Sequence, residues 1–185
     1  PTTWSRMDPR EIVSLLKPAN IEVNDSGHSL SDLLAQGGID ATMGSRMPDS
    51  VFSHPDDVVR LSPDFREEEK EYYRRTKIHP IMHLVAIQKS IYEKEPWIAQ
   101  SLYDAFCQSR DLAWDELRFS GAQRYLLPWL YADVAEIETE FGGDPWPYGI
   151  EKNRPTMEAV VQYMVEQDFI SERILLEDLF VDVED

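Results

Sequence analysis

The segment Ile78 to Gln88 (IHPIMHLVAIQ) constrains the fold more than any other stretch of this chain. It ends in the continuous apolar run Leu84 to Ile87, the pattern of a strand buried on both faces. Strongly helical sequence flanks it on both sides. Before it, Pro63 and Asp64 introduce a helix over Phe65 to about Thr76, where acids precede bases at helical spacing from Glu67 to Arg74 and Arg75. After it, Pro96 occupies the first turn of the longest expected helix, Trp97 to about Phe119. The inward face of that helix reads Ile98, Leu102, Ala105, Phe106, Ala113 and Leu117. Strand and helix in alternation predict the α/β class with a largely parallel sheet.

The rest of the pattern is mostly helical. Ser29 caps a short helix whose Leu30, Leu33 and Leu34 share a face and which Gly37-Gly38 end. Ile39 to Gly44 reads as a short buried strand that Pro48 prevents from continuing, and Val58 to Leu61 as a further short strand. Tyr131 to Phe141 makes a helix closed by Gly142-Gly143, and the proline-rich loop Asp144 to Gly149 follows. Thr156 to Gln167 is amphipathic, with Met157, Val160, Val161 and Met164 inward. Leu175 to Phe180 docks, and the acidic tail beyond it frays. Two or three strands are few for a parallel sheet. Exposed edges or apolar faces are therefore expected, covered by a second copy in a homo-oligomer.

Charge narrows the partners. The chain carries 18 Lys plus Arg against 35 Asp plus Glu, a net charge of −17. Residues 1–90 hold only −3 of this and residues 91–185 hold −14. Such a field repels nucleic acid and anionic membrane surfaces. An anionic small molecule is tolerated best in the first half, near Arg66 to Lys77. Cys107 is the single cysteine, so no intrachain disulfide and no cysteine-based zinc site can form. With no spanning segment and no basic-then-apolar leader, this fits a cytoplasmic location.

His79 and His83 are four apart, a metal-site spacing on a helix, but Pro80 rules out a regular helix there. On a strand the two rings still share a face. No third ligand has a matching position, so neither metal nor any other cofactor is expected. A general-acid role, an anion-pocket role and a purely structural one all remain open for them. Arg46 follows the expected strand at 39–44, where open α/β sheets bind ligands, and a guanidinium there suits a carboxylate. A surface ion pair is the alternative. Arg74 and Arg75 end a helix whose macrodipole alone would favour them. Trp146 and Tyr148 either wall an aromatic ligand or cover the core.

Three runs in the sequence are distinctive: GGIDATMGSRMP, the stretch FREEEKEYYRRTKIHPIMHLVAIQKSIYEKEPWIAQSLYDAF, and RYLLPWL followed by FGGDPWPYGIEKNRPTMEAVVQYMVEQ. Together they resemble the 4,5-dihydroxyphthalate decarboxylase family, over nearly the whole chain from about Ser29. That family resembles type II periplasmic binding proteins, in which two α/β lobes hold ligand in the cleft between them. The resemblance implies roughly the C-terminal half of such a protein. Residues 1–62 would be the end of the second lobe, with strand and ligand-side loop at 39–48. Residues 63–90 would be a crossover helix and hinge strand, and 91–185 the helical C-terminal part of the first lobe. It also implies loss of CO2 from 4,5-dihydroxyphthalate to give protocatechuate, in phthalate catabolism. An aromatic dicarboxylate needs cations, an acid aimed at a ring carbon and a hydrogen-bonding partner for a phenol. By residue type, Arg46, Arg74 and Arg75 could hold the carboxylates, His83 or His79 could donate the proton, and Tyr73 could meet a ring hydroxyl. Trp146 and Tyr148 could wall the ring. The competing class is a transporter's solute-binding protein for an aromatic or dicarboxylic acid, and a third is a biosynthetic enzyme of the same fold.

Overall fold

The computed structural model describes residues 2–5, 21–122 and 124–184, with side chains from Asn24 onward. The chain forms two compact units, divided between Asp64 and Phe65.

In the first unit, β1 (Thr2–Ser5) pairs in parallel with β2 (Ile21–Asn24), Thr2 opposite Ile21 and Ser5 opposite Asn24. Helix α1 (Leu30–Ala35) starts as the sequence requires. The Asp32 N–H donates to Ser29 Oγ, and the Asp32 carboxylate accepts the Ser29 N–H, closing a reciprocal cap. Helix α2 (Ser50–Ser53) is tied to α1 by one hydroxyl, because the Ser50 N–H donates to Ser31 Oγ at 2.9 Å. Among the described residues of this unit, Ser50 and Val58 are buried.

The second unit is helical. It comprises α3 (Phe65–Thr76), α4 (Lys89–Tyr92), α5 (Trp97–Arg118), α6 (Leu130–Phe141), α7 (Ile150–Glu166) and α8 (Leu176–Leu179). Helix α3 spans the range that its charge pattern predicts, and α5 is the longest element described. Helix α6 ends at Gly142, whose φ of 69° closes the helix in the left-handed conformation. Helix α7 begins at Ile150, six residues earlier than its apolar periodicity indicates, and runs through Pro155. That start is fixed by Asn153, whose amide donates to the Pro147 and Gly149 carbonyls at 2.7 and 2.9 Å and locks the first turn to the preceding loop. The acidic tail is fastened where fraying was expected. Gln100 exchanges two hydrogen bonds with the Glu184 backbone, at 2.8 and 3.0 Å.

Three expected strands take another form. Ile39–Gly44 is irregular, with Met43 fully exposed. Val58–Leu61 is also irregular, and the Val58 N–H turns back to the His54 carbonyl at 2.9 Å. Ile78–Gln88 is neither helix nor strand: no described backbone group bonds to its residues until the Gln88 carbonyl receives the Ile91 and Tyr92 N–H groups. An apolar run becomes a strand only when a neighbouring backbone completes its ladder. No such neighbour stands beside these three segments among the described residues.

The buried apolar core is small: Ala99, Val134, Val161 and Leu176 in the second unit. Large apolar side chains stay exposed, including Met82, Leu84 and Val85 of the unpaired segment. The inward stripe of α5 is only partly covered, with Leu102 and Phe106 exposed. These are the uncovered apolar faces that the shortage of strands led us to expect.

A ladder of charge aligns α3 with α6. Arg66 reaches Asp133 and Glu136, Lys70 reaches Glu136, and Arg74 grips Glu140 with two hydrogen bonds. The bases recur every four residues and the acids keep pace, so the two helices run in the same direction along the contact. Exposed pairs are individually weak, but here they share partners. Glu136→Ala removes the carboxylate that both Arg66 and Lys70 use. We expect it to lower the melting temperature measurably at low ionic strength, and by much less at 1 M salt, where screening has already weakened the ladder.

Candidate functional site

Helix α3 has to stop where it does. Pro80 disfavours helical backbone at His79, and Lys77 takes a left-handed φ of 58° as its N–H closes on the Tyr73 carbonyl at 2.7 Å. Thr76 Oγ1 then accepts the Ile78 N–H at 3.1 Å. This turn folds His79 back against the helices. Its backbone N–H donates to Oγ1 of Thr156, a buried residue of α7, at 3.1 Å.

His79 thereby joins an aromatic cluster drawn from four parts of the chain. Its ring centroid lies 6.4 Å from Tyr73 of α3, 5.1 Å from Phe141 of α6 and 5.7 Å from Trp146 of the 142–149 loop, all edge to face. Tyr73 and Phe141 pack at 4.4 Å. Burial pushes the His79 imidazole below its ordinary value of 6.5, against the pull of the Glu69 carboxylate.

Trp146 also lines a cleft of about 600 Å³ between the C-terminal half of α5 and the 142–149 loop. Phe106, Trp114, Leu117, Trp146 and Tyr148 supply apolar walls, and the charged groups on the cleft are Arg110, Arg118, Asp111 and Asp144. The Arg110 side chain is only 20% exposed and its guanidinium stands 5.1 Å over the Tyr148 ring. Burial works against its charge, but the Asp111 and Asp144 carboxylates outweigh this and raise its pKa. Arg118, also on the cleft, is held by Glu138 and stacks 5.2 Å over Trp114. The Trp114 indole N–H is buried without an acceptor among the described residues.

The structure thus brings together His79, Tyr73 and Trp146, and through Trp146 the cleft wall with Tyr148. Arg74, Arg75 and His83 of the same unit lie outside this cluster. Arg74 is engaged with Glu140, whose carboxyl it holds below the usual range. Arg75 is exposed and stacks 5.7 Å over Tyr72. His83 is exposed and makes no hydrogen bond, ion pair or ring contact among the described residues. Arg46 is exposed in the first unit, without an ion pair among the described residues. No described group of three His, Cys, Asp or Glu side chains could hold a metal ion. No described helix is long and apolar enough to cross a membrane.

Arg110 escaped the sequence reading, which sought cations at helix ends and after strands. A signal existed: Arg110 lies four residues after Phe106 and three before Ala113, a cation on the apolar stripe of α5.

Thr156 is the support most open to test. Thr156→Val keeps the side-chain shape but removes the acceptor for the His79 N–H, and we expect a loss of about 1–3 kcal/mol in chemical denaturation. Titration gives a second test. With the folded imidazole below 6.5, the unfolded chain binds the proton more readily, so stability is full above 6.5 and declines as pH falls through it. His79→Gln should flatten that slope in melts run between pH 5 and 8.

Among known proteins, the 4,5-dihydroxyphthalate decarboxylase of Comamonas testosteroni is 34% identical to this chain over 152 residues. The match covers 79% of this chain and 46% of that protein, so the chain spans about half the length of the curated relative it matches. No family model matches the chain.

Proposed function

We propose that this chain forms part of a carboxy-lyase acting on an aromatic dicarboxylate, with the loss of CO2 from 4,5-dihydroxyphthalate to give protocatechuate as its reaction. The observation that carries this reading is the 34% identity to a protein of that name, over 79% of the chain. The cleft supports it with a half-buried guanidinium among aromatic walls, a setting suited to a planar aromatic acid. The type II periplasmic-binding-protein-like architecture belongs to the same proposal.

The chemistry asks little of a cofactor. A hydroxyl para to the departing carboxylate pushes electron density to the ring carbon that bears it. That carbon takes a proton, the C–C bond breaks, its electron pair restores the aromatic ring, and CO2 leaves. One proton is consumed and solvent returns it to the donor. By residue type we assign the donor to His79 and hydrogen bonding to a ring hydroxyl to Tyr73; neither lines the cleft itself, and His79 borders it through its packing against Trp146. Burial makes the His79 imidazolium a stronger acid than a free one, at the cost of its population near neutral pH.

The test is CO2 release from 4,5-dihydroxyphthalate by the full-length protein. His79→Gln should reduce kcat at least ~100-fold, the scale of general acid catalysis, and leave substrate binding in place. With imidazolium as the acid, kcat should fall as pH rises through a value below 6.5. Binding without CO2 release in the unmutated protein would instead identify a solute-binding protein.

A further inference from the structure

The Arg110 guanidinium is unevenly used. Its Nε and Nη2 both donate to a single oxygen, Asp111 Oδ1, at 2.9 and 2.8 Å. Its Nη1 makes only long contacts, 3.4 Å to the Trp146 carbonyl and 3.6 Å to Asp144 Oδ2. A guanidinium offers five N–H donors in a planar fork. One edge is therefore satisfied, while the other is loosely covered by the loop that forms the opposite wall of the cleft. A half-buried cation with one loosely met edge can take a further acceptor there, and a carboxylate is the group that matches its fork.

Asp144 does not depend on Arg110 for its own place. Its Oδ1 accepts the Trp146 N–H at 3.1 Å, which holds the side chain in a local turn. Only Oδ2 faces the guanidinium, at a distance too long for a good hydrogen bond. The Asp144 side chain is also 44% exposed, so its pairing with Arg110 contributes little.

We propose that Arg110 is the carboxylate-recognition residue of this cleft. In the free protein Asp144 stands in loosely for the ligand, and the carboxylate of a planar aromatic acid, its ring against the Trp146 and Tyr148 wall, takes over the Nη1 edge. This deepens the carboxy-lyase reading and rests on it for the identity of the acid. The Asp111 fork stays in place and keeps the guanidinium oriented. The Arg110–Tyr148 stack remains behind the exchange, so the cation needs no new rotamer to accept the ligand.

The experiment measures binding of phthalate, benzoate and benzamide to the full-length protein by calorimetry, with tryptophan fluorescence as a second readout. Phthalate and benzoate should bind, and the uncharged isostere benzamide should not. Arg110→Ala should weaken phthalate binding by about 10- to 100-fold, the scale of a hydrogen-bonded charge. Arg110→Lys should recover part of it, because the charge returns without the fork. Asp144→Asn keeps the turn-forming oxygen but removes the competing charge, and should tighten binding by about two- to fivefold. A purely structural Asp144 would give the opposite sign. The inference is overturned if Arg110→Ala binds phthalate like the unmutated protein, if benzamide binds as well as benzoate, or if Asp144→Asn weakens binding. Should Arg110→Ala fail to fold by circular dichroism, Arg110→Lys and Asp144→Asn decide. Failure of the two readings is distinguishable. Arg110-dependent phthalate binding without CO2 release removes the decarboxylase and leaves this site, whereas normal turnover in Arg110→Ala does the reverse.

Discussion

The second unit hinges on one backbone hydrogen bond, from the His79 N–H to the Thr156 hydroxyl. It is made possible by a left-handed lysine and demanded by a proline three residues later. Because the chain turns back there, a ring from the segment after α3 meets α3, α6 and the loop before α7 at once. The cluster of Tyr73, His79, Phe141 and Trp146 then presents Trp146 to the cleft. Without that turn the aromatic wall would have no backing. The site and the packing of the unit are two aspects of the same contact.

Electrostatics does complementary work at longer range. The acidic excess that discourages polyanions is spread along helices, where much of it is answered by bases on neighbouring elements. The α3–α6 ladder and the pair of Arg154 on α7 with Glu177 on α8 are of this kind. Against that background Arg110 stands out through poor geometry on one edge rather than through absence of partners. In a protein this acidic, how a cation is coordinated separates a structural role from a recognition role better than its presence does.

What the sequence made legible follows from how local each signal is. The Ser29 cap, the extent of α3 and the end of α6 at Gly142 are set by residues within one turn of each other, and the structure places them as the pattern predicts. The strands at 39–44, 58–61 and 78–88 depend on a partner backbone, which hydropathy at the segment itself cannot report. Of the candidate site, Tyr73, His79 and Trp146 were singled out by type and meet in one cluster, while Tyr148 shares the cleft with Trp146. Arg74 was legible as a cation but not as the partner of Glu140, because the match between α3 and α6 lies 66 residues apart in the chain. Arg110 was hidden by its position, a charge inside a stripe read for its apolar members.

Trp146 sits between Pro145, which is buried, and Pro147. Each ring fixes its own backbone torsion and restricts the residue before it, so the loop has few conformations to lose when it closes on something. Gly149, at a φ of 97°, ends the stretch in a geometry that residues with a side chain rarely adopt. The conformational entropy of this wall has therefore been spent during folding, before any ligand arrives. A surface built this way discriminates by shape, in the manner of a fixed mould, and gives up the ability to accommodate a bulkier ring by yielding.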